Sequence, residues 1–267
     1  MTPTIEQLSD LVASTACGEL KPRFRHVAAE RKADGSLLTE ADLAMDRALR
    51  DALTRAWPDI DFLSEEMAPS DQAARLASGR PVWCLDPLDG TSNFAAGLPL
   101  YAVSLALLAE GRPTLGVVYD PERDECFTAT LGGGAHLNGR ALPTRTVRQT
   151  LQRAVGMVDF KRLPAALAER LVREPPYHSQ RNLGSCALEW CWLAAGRGDF
   201  YVHGGMRLWD LAAGSLILAE AGGQARTLDG ETVFRPTTTA RSVVAARDTG
   251  LFETLCHTLT IPARQSA

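Results

Sequence analysis

Residues 86–94 bring oxygen-bearing side chains together in a way that is typical of metal chemistry. Two carboxylates, a glycine, hydroxyl groups and an amide lie within nine positions, which read Asp86-Pro87-Leu88-Asp89-Gly90-Thr91-Ser92-Asn93-Phe94. The apolar run at 82–85 predicts a buried strand that delivers this polar cluster at its end. Carboxylate oxygens are the ligands that hard divalent cations prefer, above all Mg²⁺. The segment therefore predicts a magnesium site at the end of a strand.

Three further acidic positions fall at the ends of predicted elements. Asp42 lies in the first turn of a predicted helix, Glu65 follows a short predicted strand, and Asp210 begins another helix. Each of them alone has a simpler explanation as a helix-end or solvent-exposed carboxylate. Gathered in one cleft with Asp86 and Asp89, they would repel one another unless cations neutralised them. Such a cluster, with two or three bridged Mg²⁺ ions, is suited to bind a phosphate and activate water.

The elements that must position these residues fall into two halves. Residues 4–32 predict one helix, and Thr39 is a suitable N-cap for a second. Residues 101–130 predict an antiparallel meander of strands separated by turns. Beyond about residue 146, helical and strand-like segments alternate, which favours an α/β layer. We therefore divide the chain into an N-terminal α+β half with the metal-binding motifs, 1–146, and a C-terminal α/β half that contains Asp210, 147–267.

Composition argues against several other classes of protein. The chain has 267 residues, of which 45% are hydrophobic and 22% charged, and its formal net charge is −4. This is ordinary globular composition without a basic surface for nucleic acid. No apolar stretch approaches the length of a membrane span, and no leader peptide is recognisable, so we expect a cytoplasmic protein. The six cysteines form no Cys-x-x-Cys pair, which argues against a zinc ribbon or a redox motif.

Five segments, in order along the chain, resemble the inositol monophosphatase family of lithium-sensitive, Mg²⁺-dependent phosphatases. They are residues 32–42, Ser64-Glu65-Glu66, residues 86–94, Gly184-Ser185-Cys186-Ala187, and residues 209–223. One short motif is weak evidence, but five motifs in the family's order are highly specific. The resemblance covers about residues 5–260. It implies an α+β fold, the layered αβαβα sandwich of the inositol monophosphatase/fructose-1,6-bisphosphatase type, and a homodimer.

The resemblance also implies a set of metal ligands. Glu65, Asp86 and the backbone carbonyl of Leu88 would hold the first Mg²⁺ ion. Asp86, Asp89 and Asp210 would hold the second. A weaker third ion would bind near Glu65.

Catalytic and substrate-binding roles follow from the same resemblance. Thr91 and Asp42 would form the hydroxyl–carboxylate pair that orients and deprotonates the attacking water, and Glu65 would act beside them. The implied substrate contacts are Asp89, Gly90, Thr91, Gly184, Ser185, Cys186, His203 and Asp210.

Departures from the family's pattern leave the substrate open. His203 stands where many members carry a glutamate that bonds a substrate hydroxyl, and a neutral imidazole can donate as well as accept. It is about equally explicable as a residue that ends a strand. Ser36 replaces an aspartate, which would weaken the third ion. Arg181 and Arg207 are the candidate cations near the leaving group, although Arg181 is better explained as a brace for the loop at 184–187.

These observations predict a phosphoric monoester hydrolase. Its substrate would be a small phosphorylated metabolite, inositol monophosphate or a related sugar or polyol phosphate, attacked directly by metal-activated water. Two alternatives keep the chemistry and change the substrate to 3′-phosphoadenosine 5′-phosphate or histidinol phosphate. A third alternative is a regulatory binding protein that retains metal ions but hydrolyses little.

Overall fold

The computed structural model describes residues 2–26, 29–31, 37–143 and 150–262. Within these ranges the chain combines helices with strands throughout its length. The helices are α1 (Ile5–Glu19), α2 (Glu40–Ala56), α3 (Pro69–Ala77), α4 (Thr91–Ala95), α5 (Ala165–Arg173), α6 (Cys186–Ala194), α7 (Leu208–Glu220) and α8 (Thr249–Leu259). The strands are β1 (Ala29–Arg31), β2 (Leu37–Thr39), β3 (Asp61–Ser64), β4 (Val82–Asp89), β5 (Ala102–Ala109), β6 (Arg112–Asp120), β7 (Glu125–Thr130), β8 (Gly134–Leu137), β9 (Arg140–Ala141), β10 (Val155–Asp159), β11 (Ser179–Arg181), β12 (Phe200–Met206), β13 (Gln224–Arg226) and β14 (Arg241–Ala246).

Most of the described strands belong to two sheets. The larger sheet has the order β3-β4-β5-β6-β7-β8-β9, with β3 and β4 parallel and the other neighbours antiparallel. The smaller sheet has the order β11-β10-β12-β14-β13, with β10 parallel to β11 and β12 and the other pairs antiparallel. The antiparallel meander predicted for residues 101–130 is β5, β6 and β7, and it is confirmed.

Central strands of the larger sheet are buried on both faces. In β4, Trp83 and Leu85 enter the core formed with α1 and α2. Their neighbours Val82 and Cys84 enter a second core, formed with α6 and α7. Successive side chains of a strand point to opposite faces, so an uninterrupted apolar run serves two cores at once.

The helices α6 and α7 form a layer between the two sheets. Val243 and Ala245 of β14 point into the core that contains these helices. Val244 and Ala246 point the other way, into a third core closed by α5 and α8. The layers therefore run helix, sheet, helix, sheet, helix. This confirms the αβαβα sandwich.

Small residues let the central layer pack closely. A Cβ atom added to Gly214 of α7 would lie 2.5 Å from Cβ of Trp190 on α6. A Cβ atom added to Gly116 of β6 would lie 3.1 Å from the carbonyl oxygen of Ala213. Both distances are too short for a normal contact, so the absence of a side chain sets the separation between these elements.

The N-terminal helix is shorter than the sequence predicts. Helix α1 ends at Glu19, turns occupy residues 20–26 and residues 29–31 form β1, so the prediction of one helix over 4–32 is wrong for these two segments. Pro22 has no N–H group to donate, and it disfavours helical geometry at the residue before it. Residues 27–28 and 32–36, with the predicted roles of Lys32 and Ser36, lie outside the described residues.

The second helix begins where the sequence predicts. Thr39 is its N-cap, with Oγ1 accepting a hydrogen bond from the Ala41 N–H at 3.2 Å. Two residues after the end of α2, Pro58 prevents continuation of the helix. None of the helices within the described residues has both the length and the hydrophobicity needed to cross a bilayer.

We expect Gly214→Ala to lower the free energy of unfolding by about 1–3 kcal/mol, the usual effect of overpacking a filled core. Gly18→Ala is the matched control, because Gly18 lies within α1 and nothing lies within 4 Å of its added Cβ. In a helix that change raises stability by about 0.5–1 kcal/mol. Denaturant unfolding of both variants measures the difference. Equal midpoints would contradict the close packing of α6 and α7.

Candidate active site

An irregularity near the end of β4 brings Asp86 and Asp89 to the same pocket. Three positions apart in a regular strand, they would point to opposite faces of the sheet. The pairing with β5 shifts between them, where Pro87 offers no N–H to the ladder. The Leu88 N–H instead bonds Asp86 Oδ1 at 3.0 Å. This turn lets both carboxylates reach one site.

Asp210 joins these two residues from the first turn of α7. One carboxylate oxygen from each of Asp86, Asp89 and Asp210 lies within 4.8 Å of the other two. The start of α7 is held against the larger sheet by Ser104 of β5, whose hydroxyl donates to the Trp209 carbonyl at 3.0 Å. The three carboxylates form what we call the acidic cluster.

Electrostatics within the acidic cluster favour a bound cation. Burial, followed by the charges of Glu65, Asp89 and Asp210, raises the pKa of Asp86 well above its ordinary value. Burial and the charge of Asp89 raise the pKa of Asp210 to about 8. Carboxylates that resist ionising together are stabilised by a divalent cation among them. The donor set, three acidic side chains supplying oxygen only, fits Mg²⁺.

Glu65 lies beside the acidic cluster without belonging to it. Its N–H continues the pairing of β3 with β4 by donating to the Leu85 carbonyl at 3.2 Å. Gln72 of α3 donates to the carbonyl oxygens of Ser64 and Glu65 at 2.9 and 3.3 Å. The position at the end of β3 explains why the charge of Glu65 raises the pKa of Asp86.

Thr91 and Asp42 meet although 49 residues separate them in sequence. The Thr91 hydroxyl lies 3.2 Å from Asp42 Oδ1 and 3.0 Å from the carbonyl oxygen of Leu88. Asp42 is buried, and its Oδ2 accepts from the N–H and the hydroxyl of Thr39 at 2.7 and 2.5 Å. The capping box of α2 therefore fixes the carboxylate that faces Thr91.

Asp89 also caps the first turn of α6. It accepts hydrogen bonds from the Ser185 hydroxyl, from the Cys186 N–H at 3.2 Å and from the Ala187 N–H at 2.8 Å. These bonds oppose the rise that burial causes in the pKa of Asp89. The predicted substrate loop and the acidic cluster are thus in direct contact through one carboxylate.

Two glycines make this contact possible. Gly90 has φ +91°, and an added Cβ would lie 2.9 Å from the carbonyl oxygen of Leu100 and 3.3 Å from Cβ of Ser185. Gly184 has φ +71°, the left-handed region that favours glycine. The Asn93 amide joins the same region, donating to the Leu183 carbonyl at 2.7 Å. The motifs at 86–94 and 184–187 are therefore adjacent in space.

Comparison with known proteins explains the arrangement. The family model described as "Inositol monophosphatase family" matches residues 1–264. The chain belongs to the inositol monophosphatase family. Members are Mg²⁺-dependent phosphomonoesterases, and this chain is a phosphomonoesterase of that family.

Individual members of the inositol monophosphatase family show the extent of the similarity. Inositol monophosphatase 2 of Solanum lycopersicum is 37% identical over 209 residues, which cover 75% of this chain and 77% of the relative. Nus factor SuhB of Escherichia coli K12 is 38% identical over 208 residues, 74% of each chain. The crystal structure of inositol monophosphate bound SaIMPase-II, from Staphylococcus aureus, has a TM-score of 0.75 at 26% identity and covers 93% of this chain and 90% of its own.

Three further residues that the sequence predicts near the substrate, His203, Arg207 and Arg181, have partners within the protein. His203 is buried, and its two ring nitrogens lie near protein atoms, 3.1 Å from the Gly205 nitrogen and 3.3 Å from Asp159 Oδ2. Arg207 donates to the Thr238 carbonyl at 3.1 Å, and Arg181 donates to residues of its own strand. The predicted contact of His203 with a substrate hydroxyl stays a prediction.

Sequence reasoning missed Asp159 and Arg162. Asp159 pairs with Arg162 Nη1 at 2.6 Å and lies beside His203 on the neighbouring parallel strand. A carboxylate at the end of a predicted strand was the signal that singled out Glu65, and Asp159 carries the same signal at the end of β10. Nothing local marks Arg162.

We expect the stability of the metal-free protein to fall as the pH rises from about 5.5 to 8.5. The folded protein holds the Asp210 proton up to a pKa of about 8, above its ordinary 3.8. The stability that this proton contributes is complete below the unfolded-state pKa and is lost as the pH rises through the folded one. Thermal unfolding in the presence of chelator measures the change, and added Mg²⁺ should raise the Tm more at pH 8.5 than at pH 6.

The matched control for this pH series is Asp210→Asn, which removes one of the groups whose pKa is raised and should make the decline shallower. A slope unchanged by the substitution would contradict the assignment to Asp210.

Proposed function

We propose that this phosphatase hydrolyses inositol monophosphate or a related sugar or polyol phosphate by direct attack of water on phosphorus. The observation that carries the proposal is the acidic cluster lying next to the Thr91–Asp42 pair. The family member from Staphylococcus aureus, described as bound to inositol monophosphate, supports this substrate class.

We assign the metal ligands from the acidic cluster outward. Asp86, Asp89 and Asp210 would hold Mg²⁺, and Glu65 and the Leu88 carbonyl would complete two or three ion sites. Bound Mg²⁺ supplies positive charge for the phosphoryl oxygens and lowers the pKa of a bound water.

Thr91 and Asp42 would provide the path for the proton of the attacking water. When the Thr91 hydroxyl donates to Asp42 Oδ1, its lone pairs are available to accept a proton from water. Thr91 Oγ1 would take that proton while passing its own to Asp42. Because Thr39 holds the other oxygen of Asp42, the carboxylate keeps this orientation throughout the reaction.

Loop residues from the second half would contact the substrate beside the acidic cluster. Gly184, Ser185 and Cys186 precede or begin α6, whose first N–H groups are directed at Asp89. The amides around Gly90 and Thr91 would face a phosphate oxygen. We further propose that each subunit has two functional halves, residues 1–146 and 147–267. The protein would be a cytoplasmic homodimer that lithium inhibits.

We expect Asp86→Asn and Thr91→Ala each to lower kcat at least a hundredfold at saturating Mg²⁺. The first removes charge that would hold the metal ions, and the second removes the hydroxyl that orients and deprotonates water. Ser92→Ala is the matched control, because Ser92 is the exposed hydroxyl next to Thr91 and should retain activity. Near-normal turnover by both active-site variants would refute these assignments.

A metabolite screen tests the substrate and the rival functions together. Phosphate release would be measured with inositol 1-phosphate, histidinol phosphate and 3′-phosphoadenosine 5′-phosphate, with and without Mg²⁺. We expect Mg²⁺-dependent release and the highest kcat/KM for the inositol ester or a related polyol phosphate. A higher kcat/KM for either other substrate would select that alternative.

The regulatory alternative has one specific observation in its favour, the similarity to a relative named Nus factor SuhB. Under that alternative the purified protein would bind Mg²⁺ but release no phosphate from a broad panel of phosphomonoesters. Release from any ester of the panel at a rate that Asp86→Asn abolishes would exclude it.

A further inference from the structure

An arginine that the proposed mechanism does not use lies near the acidic cluster. Arg162 follows β10, and its Nη1 donates to Asp159 Oδ2 at 2.6 Å. Its side chain is 55% exposed. No other side-chain hydrogen bond of Arg162 is made within the described part of the chain, and a guanidinium carries five N–H donors. Most of its donors are therefore open to an acceptor that arrives from solvent.

Asp159 holds the arginine and is itself held by His203. Because the Gly205 N–H lies 3.1 Å from Nδ1 of His203, that nitrogen accepts and the proton is on Nε2. Nε2 then donates to Asp159 Oδ2 at 3.3 Å. An imidazole with an accepting nitrogen is neutral, and burial lowers the pKa of His203 below its ordinary value. A neutral His203 can orient Asp159 through a hydrogen bond without forming a second ion pair that would compete with Arg162 for the carboxylate.

The backbone of Arg162 is also fixed. A Cβ atom added to Gly204 of β12 would lie 1.7 Å from the carbonyl oxygen of Arg162. Only glycine permits this approach, so β12 and the segment after β10 are in direct contact next to His203. The backbone of Arg162 is therefore held in place, although its guanidinium reaches solvent.

A short chain of contacts connects this group to the acidic cluster. Nε2 of His203 lies 3.7 Å from Cys186 Sγ, and the Cys186 N–H donates to Asp89 Oδ1 at 3.2 Å. Arg162 is thus connected to the acidic cluster through Asp159, His203 and Cys186.

The other candidate cations have protein acceptors. Arg207 donates to the Thr238 carbonyl at 3.1 Å. Arg181 donates to the Ser179 hydroxyl at 2.8 Å and to the Gln180 carbonyl at 2.7 Å. Arg162 also has a protein acceptor, but that acceptor, Asp159, contacts His203, the predicted partner of a substrate hydroxyl, so Arg162 is the best placed of the three to meet the leaving group.

We propose that Arg162 is a specificity-determining residue that binds an anionic group on the leaving alcohol. Among phosphate esters of sugars, polyols and their acids, the preferred substrates would then be those that carry a second negative charge, a carboxylate or another phosphate, near the scissile ester. This inference rests on the proposed phosphomonoesterase function and refines its substrate class. A hydrogen bond between two charged groups is about twice as strong as one between neutral groups, so a polyol hydroxyl gains less from the arginine.

Two matched substrate pairs test the proposal. Glycerol 3-phosphate and 3-phosphoglycerate differ by a carboxylate, and fructose 1-phosphate and fructose 1,6-bisphosphate differ by a second phosphate. We call the member whose leaving alcohol carries this additional charge the anionic member, and the member whose leaving alcohol is uncharged the neutral member. For wild-type protein we expect the higher kcat/KM with the anionic member of at least one pair. Arg162→Gln should lower that value about tenfold, mainly through KM, and should change the value for the neutral member less than threefold. The pair that responds identifies the anionic group.

Two further variants separate charge from structure. Arg162→Lys keeps the positive charge and should retain part of the preference for the anionic member. Arg173→Gln is the control for loss of a surface arginine, because Arg173 pairs with Glu169 on α5 at 3.0 Å and both side chains are exposed. It should leave both members of each pair unaffected. The thermal unfolding midpoint of each variant verifies that it folds.

The outcomes separate this inference from the proposed function. If wild-type protein hydrolyses the neutral esters while Arg162→Gln changes both members of each pair equally, or neither, the role of Arg162 is refuted and the hydrolase assignment stands. If wild-type protein hydrolyses inositol 1-phosphate in Mg²⁺ but none of the four esters, the inference fails and the proposed function stands. If it releases no phosphate from inositol 1-phosphate or from any of the four esters, the proposed function fails, and the inference that rests on it fails too.

Discussion

Mutual repulsion among closely spaced, buried or half-buried carboxylates is the constraint on which the candidate active site depends. Asp86, Asp89 and Asp210 place oxygens within 4.8 Å of one another, and burial leaves little water to screen their charges. Such an arrangement lowers the stability of the metal-free protein. It also creates a strong preference for a divalent cation, and a small, strongly charged ion such as Mg²⁺ satisfies it best. The fold accepts this unfavourable cluster because the family to which it belongs depends on Mg²⁺ for its function.

Asp89 connects this cluster to the second half of the molecule. Its carboxylate belongs to the larger sheet, yet it accepts hydrogen bonds from the first turn of α6. One side chain therefore links the acidic cluster to the loop proposed to contact the substrate. Under the proposed function, a change in the charge of Asp89 would alter metal binding and the geometry of the loop together.

The central helical layer explains how distant segments meet at this point. Helices α6 and α7 lie between the sheets. The first turn of α6 donates hydrogen bonds to Asp89, and the first turn of α7 carries Asp210. Gly214 and Gly116 allow α7 to approach α6 and the larger sheet closely. The packing that stabilises the core is thus also what brings residue 210 to the end of β4. The position of Arg162 likewise depends on packing, because the segment after β10 is in contact with β12.

The sequence by itself determined much of the local structure. Caps, turns and apolar runs act through near neighbours, so Thr39 as an N-cap and the strands of the meander could be predicted. The motif order also identified the family and its sandwich. The first helix is shorter than the sequence predicts because Pro22 interrupts an otherwise helical pattern.

Only the tertiary structure decided how the site is assembled. Asp42 and Thr91 are 49 residues apart, and the distance of 3.2 Å between their oxygens depends on packing of α2 against the larger sheet. The pairing of Asp159 with His203 depends on the order of strands in the smaller sheet. Such contacts have no local pattern in sequence, because they arise from elements that meet only when the layers close. For that reason the metal-binding motifs could be recognised in the chain, but Arg162 could not.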